Sequence, residues 1–192
     1  MGILGNVEIL ITRRSSGMGM VEQIKRTALK TDKKWLFICD DDAILDPETQ
    51  KKVFDQDFNF DSDYDIESFT WRNNERKRGF QTGLYRVTAL RREMIKNPKI
   101  PSMGFDIIMQ ALLKSRFSKE FTYTHPLKNT FRAYMRWGKG RALCLRFVKS
   151  KNMYLTNYWT IYHLHLYIGY CFGFAWGLIC PMKDETWTPI TK

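Results

Sequence analysis

Five consecutive apolar residues, Trp35 to Cys39, run directly into three consecutive carboxylates, Asp40, Asp41 and Asp42. An unbroken apolar run of this length reads as a strand buried on both faces. A carboxylate buried without a partner is costly. The run therefore predicts a strand that crosses an interior and delivers its acids at the far end. Upstream, Val7 to Thr12 (VEILIT) is a second β-rich run, followed by Arg13, Arg14 and the turn Gly17-Met18-Gly19. Met20 to Lys30 then carries Val21, Ile24 and Ala28 at helical spacing. Downstream, Asp46-Pro47 opens a helix (DPETQKKVFD), with Asp as N-cap and Pro at the first helical position. Strand, helix, strand, helix in this order predicts an α/β sheet flanked by helices. Tyr64 to Trp71 and Gly83 to Val87 read as further strands, and Asp106 to Leu113 as a helix with an apolar face.

The chain has 192 residues, the size of one domain. Its 44% apolar and 27% charged composition excludes a disordered tail, a fibre and a disulfide-stapled miniprotein. Cys39, Cys144, Cys171 and Cys180 are too far apart for a zinc knuckle or a redox pair, and suit a reducing compartment. The short apolar run after Met1 carries Glu8, so no cleavable leader is expected and a cytoplasmic location is. The net charge of +11 is unevenly spread. Bases crowd Arg72 to Arg92 and Arg132 to Lys151, while acids gather between Asp40 and Glu67. Nucleic acid, nucleotide phosphates and anionic lipid all suit such a split, as does a plain solvated basic face.

Asp40 and Asp42, two residues apart on extended chain, point the same way and suit one hard divalent cation, Mg²⁺ or Mn²⁺. In open α/β sheets ligands bind outside the carboxyl ends of the strands, where this triplet is expected. The competing reading is an acidic turn that caps the next helix.

Four blocks in order resemble the inverting family 2 of GT-A-fold glycosyltransferases, and within it small archaeal-virus members. Gly17-Met18-Gly19, the helix with Arg26 and Ala28, WLFICDDD and Ile44-Leu45-Asp46-Pro47 are similar to the nucleotide-sugar half. Thr82-Gly83-Leu84-Tyr85-Arg86 is similar to the acceptor-side segment. Gly104-Phe105-Asp106-Ile107 is similar to the acidic segment that opens a helix, and Arg136-Trp137-Gly138-Lys139-Gly140 to the Arg-Trp segment. The blocks span roughly residues 7 to 141. The resemblance implies a GT-A-like, Rossmann-like mixed sheet over residues 1–150, with residues 151–192 as an aromatic C-terminal segment.

The same resemblance implies metal-dependent transfer of a sugar from a nucleoside-diphosphate sugar to a protein, glycan or lipid-linked acceptor. Asp40 and Asp42 match the motif that binds metal and diphosphate, with Asp42 the direct ligand and Asp41 beside it. Asp106 matches the general base, and His125 falls where some relatives place a metal- or phosphate-contacting histidine. Thr12, Arg13, Arg14, Arg26 and Gly83 fall among donor contacts, and Arg136 is placed to meet the diphosphate. Processive synthases carry Gln three residues before the Arg-Trp, where Ala133 stands here, so transfer of a single sugar is expected. The family's usual opening strand and turn precede its acidic second strand, whereas here only VEILITRR precedes the Gly turn. Thr12, Arg13 and Arg14 then replace that first strand's role, or the opening is missing.

Two other function classes compete: a nucleotidyltransferase with the same metal pair, and a basic module for nucleic acid. The second does not explain three aspartates on a buried strand, which makes nucleic acid the weaker partner. From Asn152 to Met182 the chain has no Asp, Glu, Lys or Arg and is crowded with aromatics. A weak membrane span, an interfacial hairpin contacting a membrane surface and a buried aromatic segment all fit it.

Overall fold

The computed structural model describes residues 7–12, 19–40, 43–54, 63–71, 82–100, 105–124, 130–148 and 164–179. Its elements are β1 (Val7–Thr12), α1 (Met20–Lys30), β2 (Trp35–Asp40), β3 (Ile44–Leu45), α2 (Pro47–Phe54) and β4 (Ile66–Trp71). They continue with β5 (Gly83–Arg86), α3 (Val87–Lys96), α4 (Phe105–Leu112), β6 (Ser115–Thr124), α5 (Phe131–Val148) and α6 (Leu164–Ile179). The chain divides into two compact units. The first comprises Met1–Pro98, Leu112–Pro126 and Thr191–Lys192; the second comprises Lys99–Ala111 and Leu127–Ile190.

The first unit is a mixed six-stranded sheet in the order β1-β2-β5-β4-β6-β3, carrying α1, α2 and α3. Every residue from Trp35 to Cys39 is at most 6% exposed, as expected of a strand covered on both faces. On one face Phe69 stacks between Phe37 and Phe121, with ring centroids 5.3 and 4.8 Å away, and Val53 of α2 joins this cluster. α1 buries Ile24 and Ala28, as their spacing predicted, and exposes Glu22 and Arg26.

A geometric constraint bends this sheet. β2 is second in the strand order and β3 is sixth. Four ladder steps of about 4.8 Å separate such positions by about 19 Å in a flat sheet. Yet Asp40 and Ile44 are four residues apart and reach about 14 Å at full stretch. The sheet must therefore curl, which carries β3 back toward the end of β2.

Three elements of this unit were not expected, the two-residue β3 among them. α3 starts directly at the end of β5, with Arg86 as N-cap and no side-chain cap. β6 hides its pattern in a register break between Ser68 and Thr70 of β4, which pair with Phe117 and Thr122. Across the break the Ser118 hydroxyl accepts the amide N–H groups of Glu120 and Phe121. α2 begins at Pro47 as expected, and the Asp46 carboxylate accepts the Thr122 hydroxyl of β6.

The second unit contains α4, α5 and α6. Gly169, Gly173 and Gly177 of α6 meet the backbone at Phe131, Met135 and Lys139 of α5. The partners advance in the same sense along both helices, so α5 and α6 lie side by side and parallel. A Cβ built on Gly173 would stand 1.7 Å from the Met135 carbonyl oxygen, and one on Gly138 would stand 2.0 Å from that of Tyr170. Glycines spaced four apart are the device by which apolar helices bring their backbones together. Trp137 packs edge-on against Tyr170, and Arg146 donates to the Gly177 carbonyl. Among the described residues no helix is long and apolar enough to cross a membrane.

Candidate functional site

Strand register brings Thr12, Asp40 and Gly83 to one end of the sheet. β1 and β2 are parallel with Thr12 opposite Asp40, so both end there. β5 is antiparallel to β2 with Gly83 opposite Ile38, so Gly83 enters the sheet at that edge. β4 runs antiparallel to β5, and β6 runs parallel to β4 with Tyr123 opposite Trp71. β3 starts there too, with Ile44 opposite Thr124. The carboxyl ends of β1, β2, β4 and β6 thus converge with the amino ends of β3 and β5.

That edge is where the chemistry-bearing positions attach. Arg13 and Arg14 follow β1, Asp41 and Asp42 follow β2, Arg72 to Arg78 follow β4, and His125 follows β6. These positions lie outside the described residues, as do the side chains of Thr12 and Asp40. Three adjacent carboxylates supply the hard oxygen donors that Mg²⁺ and Mn²⁺ prefer, so the donor set suits such an ion. Among the described residues there is no group of three His, Cys, Asp or Glu positioned as metal ligands.

Two of the expected donor contacts have local structural roles. A Cβ on Gly83 would stand 2.6 Å from the Glu67 carbonyl oxygen, so the crossing of β4 and β5 itself requires glycine. Arg26 is on the exposed side of α1, where its Nε donates to Glu22 at 3.0 Å.

In the second unit, Asp106 occupies the first turn of α4 and is 7% exposed. The partial positive charge of a helix N-terminus favours a carboxylate at that point. Arg136 lies on α5, and Arg141 and Cys144, further along the same helix, are buried. Burial first, and then the charge of Asp106, push the Cys144 thiol up to about 12, while Arg141 opposes them. The electrostatics thus place Asp106, Arg141 and Cys144 in one buried neighbourhood. The sequence reading missed Arg141 and Cys144; their spacing of three on one helix face was the available signal.

Compared with known families, curated proteins and solved structures, the chain has no match.

The Cys144 thiol makes stability depend on pH. Its proton is held more tightly in the folded chain than at the ordinary value of 9.0. Its contribution is complete below 9.0 and is lost as pH rises through the window from 9.0 to about 12. Urea unfolding at neutral pH and within that window should show this loss, and Cys144→Ala should flatten it. Native alkylation mapped by mass spectrometry should modify exposed Cys171 and spare Cys144. Equal modification of both would overturn the assignment.

Proposed function

We propose that this chain is a metal-dependent, inverting glycosyltransferase that moves one sugar from a nucleoside-diphosphate sugar to a protein, glycan or lipid-linked acceptor. The observation that carries the reading is the carboxylate run at the end of buried β2, on an edge where four strand ends and two strand starts converge. The order of the four sequence blocks supports it further.

Asp40 and Asp42 would hold Mn²⁺ or Mg²⁺, with Asp41 beside them. When bound, the ion supplies positive charge against the diphosphate of the donor. By the same resemblance Thr12, Arg13 and Arg14 would contact the nucleotide, and Arg136 would add charge against phosphate oxygens. Asp106 takes the proton of the acceptor hydroxyl as its oxygen bonds to the anomeric carbon. The bond from that carbon to the diphosphate breaks in the same step, and the nucleoside diphosphate departs. Attack opposite the leaving group inverts the anomeric centre.

Calorimetric titration with uridine, guanosine and thymidine diphosphate sugars, with and without Mn²⁺, tests this reading. One donor should bind in a Mn²⁺-dependent manner, and Asp42→Asn should abolish that binding while leaving the thermal melt unchanged. Unchanged affinity in the variant would remove the metal site from the carboxylate run. Release of pyrophosphate in place of nucleoside diphosphate would assign nucleotidyl transfer instead.

A further inference from the structure

The side chains of α6 are arranged inside out. A water-facing helix ordinarily turns its large apolar residues inward and its small or polar ones outward. Here Gly169, Gly173 and Gly177 face inward, where they let the helix sit directly on the α5 backbone. Leu166 and Tyr170 join them there, but a stripe of large apolar side chains faces outward: Leu164 is 74% exposed, Phe172 66%, Trp176 57% and Ile179 78%, with Ile168 between them at 42%. Backbone contact holds α6 in place, and the outward stripe contributes little to that packing.

α5 adds a second feature. Arg132, Lys139 and Arg146 recur at i, i+7 and i+14, which places them along one flank of the helix. This flank borders α6, because Lys139 packs at Gly177 and Arg146 donates to the Gly177 carbonyl. From Phe131 to Val148 no acidic residue interrupts it. An apolar stripe thus runs beside a basic one.

We propose that the α5–α6 pair docks on an anionic lipid surface, with the outward stripe of α6 entering the interfacial layer and the basic flank of α5 meeting lipid phosphates. Sixteen residues of α6 span about 24 Å, short of the roughly 30 Å hydrocarbon core, so the helix enters the interface without crossing. Tyr167 and Trp176 are the amphipathic aromatics that favour this boundary. Charge favours an anionic lipid surface over a symmetric pair of copies. A two-fold contact that lays α5 on α5 sets one basic flank against another, and such a juxtaposition is repulsive. This docking surface is independent of the transfer chemistry.

Co-sedimentation of the full chain with phosphatidylcholine vesicles, with and without phosphatidylglycerol, tests the proposal. The chain should pellet with the anionic vesicles at low salt, and raising the salt should release it. Phe172→Glu combined with Ile179→Glu should weaken partitioning by about tenfold or more, because each carboxylate is driven into the apolar layer. Arg132→Glu should reduce binding to anionic vesicles alone. Lipids brominated in their acyl chains should quench the tryptophan fluorescence of the unaltered chain, a readout that does not depend on any variant folding. The proposal is overturned if the chain stays in solution with every vesicle, or if the double substitution leaves pelleting unchanged. It is equally overturned if light scattering shows a dimer that the double substitution dissociates and that never pellets.

Discussion

Asp106→Asn should bind the donor sugar as tightly as the unaltered chain and should lose about 10²- to 10⁴-fold in transfer, the usual contribution of a positioned general base. Asparagine has nearly the same shape and still serves at a helix N-terminus, so α4 should persist. It cannot accept the proton of the acceptor hydroxyl. An unchanged thermal melt separates loss of the base from damage to the fold. The Asp106 charge raises the Cys144 thiol, so its removal should make Cys144 alkylation at alkaline pH faster. Nucleoside diphosphate release in the presence of acceptor is the assay. Full turnover by the variant would remove Asp106 as the base, whatever the donor data show.

Gly173→Ala should destabilise the second unit, opposite in sign to the usual effect of this exchange. Within a helix, alanine is favoured over glycine by about 1 kcal/mol. At Gly173 the added methyl would stand 1.7 Å from the Met135 carbonyl oxygen and 2.5 Å from its carbon, both backbone atoms that cannot step aside. The helices must separate, weakening the Trp137–Tyr170 contact and the Arg146 hydrogen bond to Gly177. Overpacking of this kind costs about 1–3 kcal/mol, before the propensity gain is subtracted. Urea unfolding gives the sign, and near-ultraviolet circular dichroism follows the aromatic pair. A variant more stable than the parent would mean that α5 and α6 do not pack backbone to backbone.

Local chemistry made part of this fold legible. β1, α1, β2 and α2 follow from apolar runs, helical spacing and Asp46-Pro47, and each is present at nearly the expected residues. What stayed hidden was set by distant partners. β6 (SRFSKEFTYT) alternates poorly because the break opposite Ser68 and Thr70 shifts its phase, so Phe117 faces out while Phe121 and Tyr123 face in. α3 lacks a side-chain cap, and α5 carries Gly138 and Gly140 in its middle, where helix propensity is low. Gly138 is explained by the approach of Tyr170, 32 residues further along. The candidate site divides in the same way. The aspartates could be read at the end of a strand, but the meeting of Thr12, Asp40 and Gly83 depends on pairings between strands far apart in sequence. Arg141 and Cys144 became relevant only once α5 was seen to bring them near the charge of Asp106.

The division of the chain also orders its biosynthesis. The path leaves the first unit after Pro98, contributes Lys99–Ala111 to the second, and returns for Leu112–Pro126 before departing again. β6 belongs to that returning stretch and supplies a neighbour for both β4 and β3. A nascent chain halted before Ser115 therefore holds β3 and one side of β4 with no strand to pair, and Phe69 without the ring of Phe121. The sheet cannot close until Thr124 has left the ribosome, and by then the first helix of the other unit has already been made. A gene fragment ending at Pro98 should accordingly be a substrate for chaperones rather than a minimal folded domain.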